Sequence, residues 1–342
     1  MNVTIGARVI KTGIAVALAL YFTELFGFQP GDRIIACVAA LFTLQPSVYR
    51  SWQHLLEQVQ SNTLGAVLAV GIGYLLPVNE LVIGLTCIIV ILITLALRME
   101  SAVSLTLVTV IVVLLAGSDW EYALHRFLLI LLGIGVAFAV NAVILPPNNV
   151  KQFLDGYRSA VQSLSLLLRT AISDELKETE AKALREQLNN TVRKLNEWYG
   201  MLEEEWRKWS RFRPQPSRQL VVQKQMLKTI MIGVEALDTV EEHYFSQRNR
   251  GNADQTFDAC LEEMIKFHEF TLLKYEGKMK QSDQMNDKVE EDLETLLRRN
   301  IEYAAENADS QLMLVVIASA MYEYGHQLRR LDRMISHMNA SE

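Results

Sequence analysis

Two cations close to the amino terminus are the clearest chemical candidates in the sequence. Arg8 and Lys11 are three residues apart and precede an apolar run that extends from Ile14 to Phe22. Residues three apart lie on the same face of a helix, so both charges could contact one anionic substrate. The alternative is that the two side chains are anchors that reach the headgroups of a membrane surface.

Glu24 is the next ionisable residue along the same apolar segment. Thirteen residues separate it from Lys11, which on a helix is about 140° around the axis and about 20 Å along it. The two side chains therefore cannot pair. Glu24 is either a carboxylate that responds to proton concentration or a residue at the level of the headgroups.

A third group of candidates surrounds a predicted helix break. Pro46 removes a backbone donor and frees the carbonyl group of Phe42, and Gln45 precedes it. Broken helices often line substrate sites in transporters, although a simple helix end before a loop explains the same residues. Gln58 and Asn62 follow near the start of the next apolar segment, where they either line the same vestibule or cap the helix.

The sequence lacks the motifs that mark common catalytic and metal sites. It contains no Gly-rich phosphate loop ending in Gly-Lys-Ser/Thr, and no His-Glu-x-x-His, Cys-x-x-Cys or Gly-x-Ser-x-Gly pattern. Three scattered cysteines are too few for a disulfide framework, and a net charge of −6 argues against a basic nucleic-acid binder. We therefore predict that the protein is not an enzyme and has no cofactor, metal site or nucleic-acid partner.

Charge divides the chain into two unlike parts. Residues 1–150 contain six Lys/Arg and seven Asp/Glu, whereas residues 151–342 contain 27 and 32. A helix needs roughly 20 apolar residues to cross the hydrocarbon of a bilayer, and candidate segments occur at about 5–27, 33–49, 61–79, 81–97, 102–117 and 124–145. We predict an all-α membrane protein with a six-helix transmembrane domain at 1–147 and a cytosolic α-helical domain at 148–342.

The distribution of Lys and Arg predicts the orientation of these segments. With the amino terminus in the cytosol, the outer flanks hold only Arg33 and Arg126, and the inner flanks, counted as far as residue 158, hold Arg8, Lys11, Arg50, Arg98, Lys151 and Arg158. Both termini are then cytoplasmic, in a multi-pass plasma-membrane protein. The fourth and fifth segments form either a tight hairpin at 98–101 or one long bent helix.

The charged part of the chain has helical periodicity almost throughout. Breaks near 173, 214, 251, 282 and 307 divide it into about six helices of roughly 22–35 residues. Helices of this kind form an antiparallel bundle with short connections. Aromatic residues and cations that suit the anionic inner surface of a membrane cluster at Trp206, Arg207, Lys208, Trp209, Arg211 and Arg213. The alternative is a helix end with buried Trp side chains and solvated charges.

Three motifs open or close the apolar segments, namely GARVIKT at 6–12, LQPS at 44–47 and QSNTLGA at 60–66. Together they resemble the aromatic acid exporter family, and in particular its Bacillus-type members, within the fusaric acid resistance-like superfamily. The resemblance implies a plasma-membrane exporter, often dimeric, for aromatic carboxylic acids or similar organic anions. It also implies an anion contact at Arg8 and Lys11 and a helix break at Gln45 and Pro46.

We expect from these features a secondary exporter or channel for organic anions. Because the sequence has no nucleotide site, the energy would come from ion or substrate gradients. Its partners would be the lipid bilayer, a small organic anion and a second copy of the chain in a homodimer. The alternative is a membrane scaffold that transports nothing and whose cytosolic helices bind other proteins.

Overall fold

The computed structural model is helical wherever it describes regular structure. It describes residues 7–43, 47–117, 119–144, 148–173, 177–209, 217–248, 255–279, 284–306 and 308–339. Contacts between residues divide the chain into two compact units, Met1–Asn148 and Asn149–Glu342. The described part of each unit contains six α-helices and no strand, so the all-α prediction is confirmed.

The six helices of the first unit have unequal lengths. They are α1 (Ala7–Leu25), α2 (Arg33–Thr43), α3 (Val48–Leu75), α4 (Glu80–Ala96), α5 (Val103–Leu115) and α6 (Trp120–Ala139). A short 3-10 helix (Glu100–Ala102) precedes α5, and a π-helix (Val140–Ile144) continues α6. All six predicted apolar segments therefore contain helix.

One helix in the described part of the chain is long and apolar enough to cross a membrane, the 24-residue segment Trp120–Val143. Three other apolar helices have only 10–17 residues: Arg33–Thr43, Glu80–Ala96 and Glu100–Leu115. A helix of 17 residues covers about 26 Å, less than the roughly 30 Å of bilayer hydrocarbon. The structure thus does not confirm six full-length membrane spans, because these three helices are shorter than a span requires.

The connection between α4 and α5 is a tight hairpin. Arg98 follows α4 with a left-handed φ of 58°, and the backbone N–H groups of Arg98 and Met99 donate to the carbonyls of Leu95 and Thr94 at 3.0 and 2.9 Å. This Schellman arrangement ends a helix by satisfying its last carbonyl groups. The prediction of a hairpin at 98–101 is confirmed, and the alternative of one long bent helix is wrong.

Two helix triplets make up the first unit. Helices α1, α2 and α6 pack closely against one another, and α3, α4 and α5 form the second triplet. The main contact between the triplets is that of α3 with α6, whereas α5 and α6 touch only slightly. We call the boundary between the two triplets the seam.

Small residues allow helices to approach closely within each triplet. A Cβ atom at Gly133 of α6 would lie 2.2 Å from the carbonyl oxygen of Ala36 in α2. A Cβ atom at Gly65 of α3 would lie 2.6 Å from Cγ2 of Thr106 in α5. Close contact of this kind stabilises helix pairs in lipid through dispersion.

The surface of the first unit is largely apolar, and its interior contains many polar side chains beside its apolar core. Its buried side chains include many serine, threonine, asparagine and glutamine residues, whereas large apolar side chains cover its surface. The exposed fraction is 91% for Tyr74, 84% for Leu81 and 62% for Leu92. An exposed apolar surface of this extent marks contact with a membrane or with another protein.

The second unit is a bundle of long amphipathic helices. They are α7 (Asn149–Ser173), α8 (Glu178–Trp209), α9 (Ser217–Arg248), α10 (Gln255–Tyr275), α11 (Gln284–Glu306) and α12 (Ala308–Asn339). Their boundaries coincide with the predicted breaks. Leu164 and Leu168 of α7 pack with Met264 of α10 and Ile317 of α12 in one buried core. The apolar periodicity of this part therefore identified both the helices and their inner faces.

Candidate functional site

Lys11 lies inside the first unit, on the buried face of α1. Ala15 and Ala19 follow on the same face and are fully buried, and Lys11 itself is only 9% exposed. Its Nζ atom donates a hydrogen bond of 2.9 Å to the side-chain oxygen of Asn141. The amide nitrogen of Asn141 donates in turn to the hydroxyl of Ser51 at 2.7 Å. Helix α1, the π-helix and α3 therefore meet near one buried cation, and the hydrogen bond between Asn141 and Ser51 crosses the seam.

The positive charge of Lys11 is not neutralised by a described carboxylate. Its hydrogen-bond acceptor is a neutral amide. In the described part of the first unit, the ion pairs join Glu24 with Arg33 and Asp32 with His125. A buried ammonium group without a counterion has lost much of its solvation, which makes the position favourable for a bound anion.

A row of buried polar side chains follows one face of α3, and we call it the polar row. Its members recur every three or four residues: Ser47, Ser51, His54, Gln58 and Asn62. The amide nitrogen of Asn62 donates to Oε1 of Gln58 at 3.0 Å, and its oxygen accepts from the hydroxyl of Thr109 in α5 at 2.8 Å. Since Ser51 contacts Asn141, the polar row extends from the Lys11 site into the second triplet.

Comparison with known proteins bears directly on this unit. A family model described as Aromatic acid exporter family member 1 matches residues 3–144. UPF0421 protein YgaE of Bacillus subtilis (strain 168) is 33% identical over 97% of this chain and 95% of its own length. The chain belongs to the aromatic acid exporter family. The family model matches the part of the chain that contains Lys11 and the polar row.

Two further relatives match a shorter part of the chain. UPF0421 protein OB2406 of Oceanobacillus iheyensis is 29% identical over 47% of this chain and 46% of that protein. UPF0421 protein SERP1427 of Staphylococcus epidermidis is 30% identical over 43% of this chain and 45% of that protein. These matches cover less than half of each chain, whereas the match to YgaE covers nearly all of both.

Three of the site residues predicted in the first unit fall partly or wholly outside the described residues. Arg8 belongs to α1, but its side chain lies outside them, as do Gln45 and Pro46 altogether. Helix α3 begins directly after this segment, where the hydroxyl of Ser47 accepts from the backbone N–H of Arg50 at 3.2 Å. This is an ordinary N-cap, and the predicted helix break stays a prediction.

Gln58 and Asn62, by contrast, are both described and lie together. They are 1% and 0% exposed in the middle of α3, so they do not cap that helix. Their side chains hydrogen-bond to each other, and the side chain of Asn62 also accepts a hydrogen bond from Thr109. Their predicted role in lining a vestibule stays a prediction of the sequence.

Glu24 lies at the opposite end of α1 from Lys11, as the helical spacing predicted. Its carboxylate accepts a hydrogen bond of 3.1 Å from Nη1 of Arg33, and its side chain is 71% exposed. Nε of Arg33 donates to the carbonyl of Phe28 at 3.1 Å. An exposed ion pair of this kind contributes little to stability, and the proton-responsive role of Glu24 stays a prediction.

Asn141, Ser51 and Thr109 belong to the buried network but were not predicted as site residues. The available signal was a single asparagine within a long apolar segment, since polar groups inside a membrane are costly and often functional. The π-helix that contains Asn141 could not be predicted from periodicity. Such π turns are rare in proteins, and those that occur are often at functional sites.

The buried polar groups of the second unit form two structural clusters. His268 lies between two tyrosines, with Nε2 2.7 Å from the hydroxyl of Tyr157 and Nδ1 2.5 Å from that of Tyr324. Burial lowers the pKa of His268 to about 3, so its ring is neutral. Nearby in the fold of this unit, Nζ of Lys274 donates to a carboxylate oxygen of Asp332 at 2.7 Å.

The predicted membrane-surface cluster lies at and beyond the end of α8. Trp206 is half-buried and Arg207 is exposed. The side chains of Lys208 and Trp209, and the whole of Arg211 and Arg213, lie outside the described residues. Contact of this cluster with a membrane therefore stays a prediction.

Proposed function

We propose that this protein is a multi-pass plasma-membrane exporter or channel for aromatic carboxylates or similar organic anions. The observation that carries the proposal is the buried Lys11, whose direct partner is neutral and whose charge is available to an anionic ligand. A carboxylate would form a charge-assisted hydrogen bond with this ammonium group. Membership of the aromatic acid exporter family supports the same class of ligand.

The large apolar side chains exposed on the surface of the first unit support a location in the membrane. In the proposed topology, α1 to α6 enter the bilayer within residues 1–147, and residues 148–342 lie in the cytosol with both chain termini. Helices shorter than the bilayer are accommodated by local thinning of the lipid or by polar residues at their ends. We also propose, on the family resemblance, that the protein assembles as a homodimer, which light scattering of the detergent-solubilised protein would test.

In the proposed transport route, the anion leaves the cytosol at the amino-terminal end of α1. Arg8 and Lys11 would contact its carboxylate there. The helix break at Gln45 and Pro46 would line the vestibule together with Gln58 and Asn62. Hydroxyl and amide groups along the polar row would replace part of the water lost by the anion, and its own gradient or an ion gradient would supply the energy.

Replacing Lys11 with alanine should slow export of an aromatic carboxylate about tenfold, because a hydrogen bond to a charged group is worth about 1.5–3 kcal/mol. The measurement is efflux of preloaded salicylate, followed by its fluorescence, from cells that lack the native gene and express each variant. Deletion itself should slow efflux, and the wild-type protein should restore it.

Lys151→Ala is the matched control, since Lys151 is an exposed lysine of α7, and it should restore efflux fully. Full restoration by Lys11→Ala would contradict the assignment of the anion contact. Identical anion fluxes in the deletion strain and the wild type would instead favour the scaffold alternative and reject transport.

We further propose that the cluster at the end of α8 contacts anionic lipid. Neutralising Arg207, Lys208, Arg211 and Arg213 together should weaken binding of a 149–342 fragment to phosphatidylglycerol vesicles at least tenfold, since each surface cation contributes about 1 kcal/mol. Sedimentation with vesicles measures the binding, after circular dichroism has shown that the fragment is helical. Equal sedimentation of the two fragments would reject membrane contact.

A further inference from the structure

Arg126 is a second buried cation in the first unit. The orientation count treated it as a flanking charge, but it lies within α6, seven residues into the helix, and is only 5% exposed. Ala123, Leu129 and Ile130 surround it on the buried face of the same helix. Like Lys11, it therefore carries its charge inside the unit and not among the headgroups.

The guanidinium group of Arg126 is incompletely hydrogen-bonded. Its Nη2 atom donates to the carbonyl oxygen of Val108 in α5 at 3.4 Å, which is a long contact, and the guanidinium group also shares a hydrogen bond with the side chain of Tyr122. Its Nε atom is buried and has no hydrogen-bond partner among the described residues. A guanidinium group has five N–H donors, so this one retains donors for a further acceptor.

The charge of Arg126 also has no carboxylate in direct contact within the described part of the chain. Asp32 is near enough to interact with it electrostatically, but the Asp32 carboxylate is 3.4 Å from the ring of His125. A buried charge without a direct counterion is strongly destabilising. The position is therefore suited to an anion that comes from outside the chain.

Arg126 and the Lys11 site lie at opposite ends of the seam. Arg126 precedes Asn141 by fifteen residues, which corresponds to about 22 Å along the axis of α6 and about 60° around it. Between them run the polar row and Thr109, whose neighbour Val108 accepts the hydrogen bond of Arg126. Arg126 therefore contacts the second triplet directly, whereas Lys11 is connected to it through Asn141 and Ser51. Buried polar groups lie between the two cations.

We propose that Arg126 forms a second contact for the carboxylate of the transported anion, at the outer end of the route. This proposal rests on the proposed function, and it assigns the two ends of the route to two different cations. The planar guanidinium group matches a carboxylate in two parallel hydrogen bonds. An anion received at Lys11 would thus reach a second cation before it leaves on the outer side.

Inhibition from outside the cell tests the outer contact separately from transport. Cells that export salicylate receive 4-sulfobenzoate, an aromatic carboxylate that does not cross membranes, at increasing external concentration. Arg126→Met should raise the half-inhibitory concentration of 4-sulfobenzoate about tenfold. Arg126→Lys, which keeps the charge but loses the two parallel donors, should raise it about threefold.

Arg33→Met is the matched control, since Arg33 is a partly exposed arginine paired with Glu24, and it should change the half-inhibitory concentration less than twofold. Thermal unfolding of the purified variants checks their folding. Arg126→Met should unfold at or above the wild-type temperature, because it removes an uncompensated buried charge; a lower temperature would show that Arg126 serves packing and would overturn the proposal.

The outcomes distinguish this proposal from the proposed function. Wild-type efflux together with unchanged inhibition in folded Arg126→Met and Arg126→Lys would overturn the outer contact alone. Absence of wild-type salicylate efflux would overturn the proposed function, and the outer contact with it.

Discussion

Replacing Asp332 with alanine is expected to lower the midpoint of thermal unfolding of the second unit by about 10 °C. The side chains of Lys274 and Asp332 are 0% and 2% exposed and form an ion pair of 2.7 Å in the bundle core. Removing one partner leaves the other charge buried, which costs about 3–5 kcal/mol. For a unit of this size, each 1 kcal/mol shifts the midpoint by about 2–4 °C.

The exposed ion pair of Glu178 with Lys182 supplies the control for this prediction. Their side chains are 82% and 74% exposed, and Glu178→Ala should leave the midpoint unchanged because exposed pairs contribute little. A double variant, Lys274→Met with Asp332→Leu, should recover most of the stability, since it buries no charge. Equal effects of Asp332→Ala and Glu178→Ala would show that the buried pair does not stabilise the fold.

Acidification from pH 7 to pH 5 is expected to destabilise the second unit by about 2 kcal/mol through His268 alone. Burial lowers the pKa of His268 from 6.5 to about 3 in the folded protein. Between these values the unfolded chain binds a proton that the folded chain does not, so stability falls as the pH falls. Burial also raises the pKa of Tyr157 and Tyr324, which keeps both hydroxyls neutral beside the ring.

Urea unfolding of the wild type and of His268→Gln at pH 7 and pH 5 measures this contribution. The variant loses its hydrogen bonds to the tyrosines and should be less stable at both pH values, but the part of the pH dependence caused by His268 should disappear. His326→Gln replaces a half-buried histidine of α12 and should retain the part of the pH dependence that His268 causes. An unchanged slope in His268→Gln would contradict the assignment.

The ion pair of Arg169 with Glu262 does not contribute to this pH dependence. Hydrogen bonds from Arg169 hold the pKa of Glu262 below its ordinary value of 4.5. The stability that this pair contributes is present above that value and is lost only as the pH falls further. The window between pH 5 and pH 7 therefore separates the contribution of His268 from that of the Arg169–Glu262 pair.

The helices of the second unit could be predicted from the sequence because their two faces differ. Leu164 and Leu168 belong to a series of apolar residues that recurs at helical spacing in a segment with many polar and charged residues. The apolar face of such a helix packs against the core, and its polar face remains in water. The predicted breaks coincide with the ends of α7 to α12. The partners in the core were not predictable, since periodicity does not identify which helix Lys274 or His268 will face.

The first unit could be predicted only in outline. In an apolar helix both the lipid face and the inner face are apolar, so the spacing of Arg8 and Lys11 did not reveal which way Lys11 points. The structure turns Lys11 inward because Ala15 and Ala19 continue its face. Arg126 was counted as a flanking charge for the same reason. The position of Asn141 was not predictable because it lies in a π-helix, and a π-helix leaves no periodic pattern in the sequence.

The division of the first unit into two triplets has a mechanical consequence. Gly133 allows close approach of α2 and α6, and Gly65 allows close approach of α3 and α5, so each triplet would move as one rigid body. Rotation of one triplet against the other about the α3–α6 contact would separate the helices at one end of the seam. It would bring them closer together at the other end. Lys11 and Arg126, which occupy those two ends, would then be uncovered in turn and never at the same moment.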